Sequence, residues 1–216
     1  MADKTGLQTE IKLLCALEQR EVVTQPALAR RLSISVGMVN ALLKRAVHKG
    51  LVKAKAAPYK RWAYYLTPEG FQEKSRLVAQ YLDTSLAFFC EARQEYRLLF
   101  LGGQRMGFRR FVLVGRGEVA EIALLAALEA DAELVGILDR ETNASRLHGL
   151  PVLRSLAEAE GWDAFVISES RHPQEAFDRL RGTIPDEKVL APPFLRIARE
   201  PLDFAPPAVE PLGDDR

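Results

Sequence analysis

Between Thr24 and Gly70 the residues spell two short helices, a tight turn, a stop and two strands, in an order that few folds accommodate. Thr24 can accept a hydrogen bond from the first turn of a helix, and Pro26 is tolerated there because those N–H groups have no partner. That helix runs through Ala27, Leu28 and Ala29 to Leu32. Ser33-Ile34-Ser35 leaves room only for a tight turn, and Ser35 can cap the next helix. This second helix, Val36 to Lys49, sets Val39, Leu42, Leu43 and Ala46 on one face. Gly50 is its left-handed stop. Residues 51–55 and 62–66 then predict two strands, joined by a turn carrying Pro58, Lys60 and Arg61. Thr67-Pro68-Glu69 supplies a cap, a first-turn proline and an early acid, so a new helix begins there. The pattern is a helix-turn-helix with a two-stranded wing.

The same stretch holds nine Lys or Arg and a single acid, Glu69, at its far end. Surfaces normally mix both signs, so such a bias points to a polyanion. With Val39, Leu43 and Ala46 inward, the second helix shows Ser35, Met38, Asn40, Ala41, Lys44, Arg45 and His48 outward. A short, polar first half and a cationic second half suit a helix entering the major groove of double-stranded DNA. Lys44, Arg45, Lys60 and Arg61 are candidates for phosphate contacts, and Ser35, Met38 and Asn40 for base edges. A small helical domain with a basic surface patch is the alternative these residues leave open.

The strings Ser35-Val36-Gly37-Met38-Val39-Asn40, Leu43-Lys44, Lys49-Gly50-Leu51-Val52-Lys53 and Tyr65-Leu66-Thr67-Pro68-Glu69-Gly70 resemble the winged-helix part of MarR-type regulators. Within that family they are most similar to the group associated with exopolysaccharide gene clusters. The resemblance covers residues 6–82. It implies a transcriptional regulator that works as a homodimer.

Net charge over the 216 residues is only +1, but it is unevenly spread. Residues 1–70 carry +7, residues 71–110 carry +3 and residues 111–216 carry −9. A basic front and an acidic back fit a DNA-binding module joined to one that avoids DNA. No apolar run nears the length of a membrane span, and no secretory segment is visible. Cys15 and Cys90 form no disulfide framework, and both fall in helical patterns that read as core. His48, His148 and His172 lack ligand spacing, so no metal is expected. These features point to a reducing cytoplasm.

In chain order, residues 1–7 are expected to be loose and Gln8 to Glu18 to form a helix with Ile11, Leu14, Cys15 and Leu17 inward. From Pro68 a helical pattern runs to Tyr81 and, after a break near Asp83-Thr84, on to Leu101. Its apolar residues, Leu82 and Leu86 among them, exceed what one small domain can cover. They serve either a dimer seam or packing against the chain's own domains. Gly102-Gly103 and Gly107 then predict a linker. The expected divisions are 6–82, a linking and dimerisation segment 83–110, 111–192, and a Pro-rich tail 193–216.

The last domain opens with the apolar run Phe111-Val112-Leu113-Val114 and then Gly115-Arg116-Gly117-Glu118-Val119-Ala120, a G-x-G-x-x-A between strand and helix. Glycines there permit a tight turn and close approach of a phosphate to a helix start. A helix, Val119 to Ala130, and a strand, Leu134 to Leu138, lead to Asp139, placed where an acid takes ribose hydroxyls. Gly115, Arg116, Gly117 and Asp139 are the candidate ligand contacts; Glu118 is electrostatically unfavourable beside a phosphate, and Arg116 can offset it. A sheet-helix turn without ligand remains the alternative. Four or five strands in all predict a short Rossmann-like α/β domain with a parallel sheet. From Gly115 to Asp139, and through His148-Gly149-Leu150-Pro151-Val152-Leu153, it is similar to the Rossmann-like module of polysaccharide-biosynthesis enzymes. That resemblance implies a nucleotide sugar as ligand. Six of the twelve prolines fall after Ala191, which predicts an extended tail. The whole is expected to be an α/β regulator sensing a nucleotide sugar and not an enzyme. The rivals are a Rex-like repressor sensing NAD(H), a sugar-nucleotide enzyme with an appended DNA-binding domain, and a degenerate domain used for contact alone.

Overall fold

The computed structural model describes residues 2–18, 24–57 and 61–199. The chain divides into two units, 1–88 and 89–216. In the first, α1 (Ala2–Glu18), α2 (Gln25–Leu32) and α3 (Val36–His48) precede a hairpin of β1 (Val52–Ala57) and β2 (Arg61–Leu66). Val52 pairs with Leu66 and Ala57 with Arg61 in antiparallel register. Leu13, Leu14, Leu17, Leu28, Val39, Leu43 and Tyr64 form the core. The first helix therefore starts earlier than expected, and Leu13 and Ala16 join its buried face while Ile11 and Cys15 are only half-buried.

Helix α4 (Pro68–Arg105) corrects two expectations at once. It does not break at Asp83-Thr84, where the Thr84 hydroxyl bonds back to the Gln80 carbonyl at 2.8 Å inside the helix. Nor does it stop at Gly102-Gly103. A Cβ at Gly103 would lie 3.0 Å from the Phe111 ring, so glycine lets the helix approach the sheet, which outweighs its poor propensity. The helix ends at Gly107, at φ 92°, whose N–H bonds Gln104 while that of Phe108 bonds Gly103. From Phe89 onward α4 belongs to the second unit, where Ala92, Tyr96 and Phe100 form a buried stripe. Cys90, expected in the core, is exposed on the opposite side of that stripe.

The sheet of the second unit comprises β3 (Arg110–Val114), β4 (Glu133–Leu138), β5 (Arg146–Leu147), β6 (Leu150–Leu153), β7 (Ala164–Ile167) and β8 (Val189–Leu190). Their spatial order is β5-β6-β4-β3-β7-β8, parallel throughout except for the β5–β6 pair. Strand order reverses beside β3, the switch point where doubly wound sheets open a crevice. Helix α5 (Glu118–Glu129) packs on β3 and β4, and α6 (Pro173–Arg181) on β7 and β8. Alternation puts Val112, Val114, Phe165 and Ile167 against Phe177 and Leu180 of α6. Phe111 turns the other way, edge-on to Phe100 at 5.1 Å.

Residues 192–199, expected in an extended tail, are instead folded onto this unit. The Phe194 ring meets Tyr96 edge-on at 5.6 Å and its N–H bonds Glu95. Gln174 brackets Ala198 by both its amide groups. The remainder, 200–216, lies outside the described residues. Among the described residues no helix is long and apolar enough to cross a membrane, and no cluster of His, Cys, Asp or Glu is placed to hold a metal ion.

Candidate nucleic-acid interface and ligand cleft

The first helix pair is held by its caps. Thr24 Oγ1 accepts the Ala27 N–H at 3.4 Å, and Ser35 Oγ accepts the Met38 N–H at 3.2 Å. Between them Ser33 takes the left-handed conformation at φ 55°, and Ile34 returns its N–H to Ala29. Gly50, at φ 73°, closes α3 with a bond to Val47, while Leu51 bonds Ala46. Thr67 locks the far end of the wing. Its hydroxyl reaches the Gly50 carbonyl at 2.8 Å, and its oxygen accepts the Gly70 N–H at 2.9 Å. A Cβ at Gly70 would sit 2.0 Å from the Leu51 carbonyl oxygen, a requirement that no sequence pattern announces.

With this frame set, α3 buries Val39, Leu43 and Ala46 and exposes Ser35, Met38, Lys44, Arg45 and His48, with Asn40 half-buried among them. Ser35 spends a lone pair on its own helix, leaving its O–H able to donate outward. Lys60 lies outside the described residues, and of Arg61 only the backbone, paired to Ala57, is described. Five of the seven candidate DNA contacts are therefore brought together on one helix.

In the second unit, Gly115, Arg116, Gly117 and Asp139 all line one cleft of about 510 Å³ at the switch point, with His148, Glu169 and Arg171. The two glycines differ in what they do. At φ 96°, Gly115 lies under the loop after β7, and a Cβ there would come within 2.7 Å of Glu169 Cα. The Ser168 hydroxyl pins that loop by bonding the carbonyls of Val114 and Gly115, each at 3.0 Å. Gly117, at φ 110°, has nothing within 4 Å of a built Cβ and precedes α5 without a side-chain cap. The open space beside the helix start is therefore at Gly117.

Asp139 is buried and fully engaged. One carboxylate oxygen accepts the N–H groups of Glu141 and Thr142, both at 2.9 Å, and the other meets the Arg116 guanidinium at 3.2 Å. Arg116 thus turns toward Asp139 and Glu141. The sequence places Arg116 and Asp139 at the site but holds no sign of this pairing. Glu118, Glu121 and Glu169 line the same cleft, so cations and anions share the lining.

Residues 7–53 match the family described as winged helix-turn-helix DNA-binding. No curated protein matches the chain. Among solved structures it is similar to MepR, a transcription regulator of a multidrug efflux pump of Staphylococcus aureus, at 20% identity and TM-score 0.33, covering 37% of this chain and 61% of that one. PcaV, a transcriptional regulator of Streptomyces coelicolor in complex with its natural ligand, aligns at 23% identity and TM-score 0.33, covering 36% and 59%. The riboflavin-derivative dimethyltransferase RosA of Streptomyces davawensis aligns at 14% identity and TM-score 0.36, covering 88% and 77%. The chain spans less than two thirds of either regulator, and TM-scores of this size do not establish a shared fold.

Proposed function

We propose that the chain is a MarR-type transcriptional regulator whose α3 enters the major groove and whose α/β unit takes a nucleotide-type effector. The outward face of α3 carries this reading. Met38, Lys44 and Arg45 are exposed, and no acid stands on that helix. DNA is the partner that face suits, with cations for phosphate and short polar groups for base edges. Titrating labelled duplexes at several salt concentrations tests it. Binding that weakens steeply with salt is expected, and salt-insensitive binding or none would overturn the reading.

For the effector, a nucleotide sugar is the preferred class and control of polysaccharide genes the preferred role. The open helix start at Gly117 supports a phosphate group there. In either a nucleotide sugar or NAD(H), a ribose at Asp139 would have to displace Arg116, since that carboxylate also holds two backbone N–H groups. Thermal shifts with nucleotide sugars, NADH and coenzyme A decide between them. If none shifts either melting or DNA affinity, the second unit is a structural or partner-binding module.

A further inference from the structure

The charges that line the cleft of the second unit do not all cancel. Most of its acids are taken within the protein. Asp139 and Glu141 face Arg116 at 3.2 and 3.9 Å, and Glu121 faces His148 at 3.6 Å. Glu169 turns back on its own loop and accepts the N–H groups of Arg171 and His172 at 2.7 and 3.4 Å. Arg171 and Arg179 line the same cleft and are exposed. The acids nearest to them in sequence are also engaged, Glu175 with His172 at 3.6 Å and Asp178 with Gln174 at 3.0 Å. Arg179 bonds only the Glu175 carbonyl, one turn back on its own helix, at 3.2 Å. Among the described residues no carboxylate pairs with either guanidinium. Two unpaired guanidiniums beside a ligand cleft are a counter-charge for an anion, and their planar fork suits a carboxylate.

Their place in the fold sets them apart from Gly117. The connection from β3 to β4 and that from β7 to β8 run in opposite directions along the sheet, so right-handed crossovers put α5 and α6 on opposite faces. The core under α6 accordingly holds none of the buried residues of α5. The open start of α5 and the two arginines thus flank the sheet edge from opposite sides. On the α6 side Leu156, Ala176 and Leu180 add aliphatic surface to the lining. An effector with a phosphate at Gly117 that crosses the edge meets first this surface and then the guanidiniums. In a nucleotide sugar the group beyond the phosphates is the sugar. Its C–H face suits the aliphatic wall, and a carboxylate on it would meet the arginines.

We propose that Arg171 and Arg179 form a second anion subsite, and that the effector is a nucleotide sugar whose sugar carries a carboxylate. This rests on the nucleotide-sugar reading above, and the experiment separates the two. The full chain is titrated calorimetrically with UDP-glucuronate and UDP-glucose, and with GDP-mannuronate and GDP-mannose. Each pair differs only in a carboxylate in place of a hydroxymethyl group. NADPH and coenzyme A, which also carry separated anions, complete the panel. The same titrations are run on Arg171→Gln, Arg179→Gln and Arg179→Lys, with melting temperatures without ligand to check the fold.

Wild type is expected to bind the acidic member of one pair at least about tenfold more tightly than its neutral counterpart. Arg171→Gln and Arg179→Gln should each lose most of that ratio, and Arg179→Lys should keep part of it. Equal affinity for the acidic and neutral members overturns the proposal without any variant and leaves the nucleotide-sugar reading standing. Variants that weaken both members alike also overturn it, since the arginines then hold the diphosphate common to the two. Binding of NADPH or coenzyme A alone, or of no member of the panel, overturns both.

Discussion

Gly115 and Gly117 stand two residues apart and answer to different neighbours, so substitution separates them. Alanine at Gly115 meets the Glu169 backbone at a left-handed φ, and about 1–3 kcal/mol of stability should be lost, read as a lower Tm. At Gly117 a Cβ meets no atom within 4 Å but the φ of 110° strains any side chain, so valine should abolish effector binding, and circular dichroism must show the fold intact for the loss to be assigned to the site. On α3, Lys44→Ala should weaken binding to every duplex alike and reduce the salt slope by about one unit. Asn40→Ala should relax preference at one base pair by roughly 1–3 kcal/mol. Equal operator preference in Asn40→Ala and wild type would remove Asn40 from readout. These residues are legible in the sequence because caps, glycines and charge are local signals. The Arg116–Asp139 pair is not, because its partners lie on different strand ends and meet only through the sheet.

From α2 to β2 the elements of the winged unit are legible almost to the residue, since each carries its own cap or stop, whereas α1 starts at Ala2 and not at the expected Gln8. Helix α4 departs from its sequence pattern for the opposite reason. Glycine is a breaker only where packing does not decide, and here Phe111 and Leu190 beside Gly103 decide it, while at Asp83-Thr84 the helix continues through an exposed stretch. The start of the same helix gives a sharp test. Gly70→Ala forces a carbon against the Leu51 carbonyl oxygen, and a loss of about 1–3 kcal/mol or more is expected by thermal unfolding. Further along, Leu82 and Leu86 are 52% and 60% exposed, one turn apart. Changing both to Lys should lower the sedimentation mass while leaving circular dichroism unchanged, if these side chains meet a second copy. An unchanged mass would move the contact elsewhere.

At the scale of the molecule, acid should weaken the second unit through Asp163. The N–H groups of Arg109 and Arg110 bond Asp163 at 2.7 and 2.8 Å and hold its carboxyl below the usual carboxylate range. A lowered folded pKa adds stability above the unfolded value, and that stability is lost as pH falls through the folded one. Asp163→Asn should therefore be less stable than wild type near neutrality, the gap closing on the acid side. A gap independent of pH would deny this carboxylate its role. Tyr96 behaves otherwise. Burial pushes its hydroxyl well above the ordinary tyrosine range, so it remains a donor to the Ile167 carbonyl throughout. The sheet that these groups support has a further property in how it ends. One border is the two-residue β5, and the other is the two-residue β8, followed after Ala191 by Pro192 and Pro193, which have no N–H to offer. Neither border gives an incoming chain a row of backbone groups long enough to copy. Crowding or mild heating should therefore not recruit this sheet into strand-by-strand aggregates, and copies of this unit that meet must recognise each other by side chains alone.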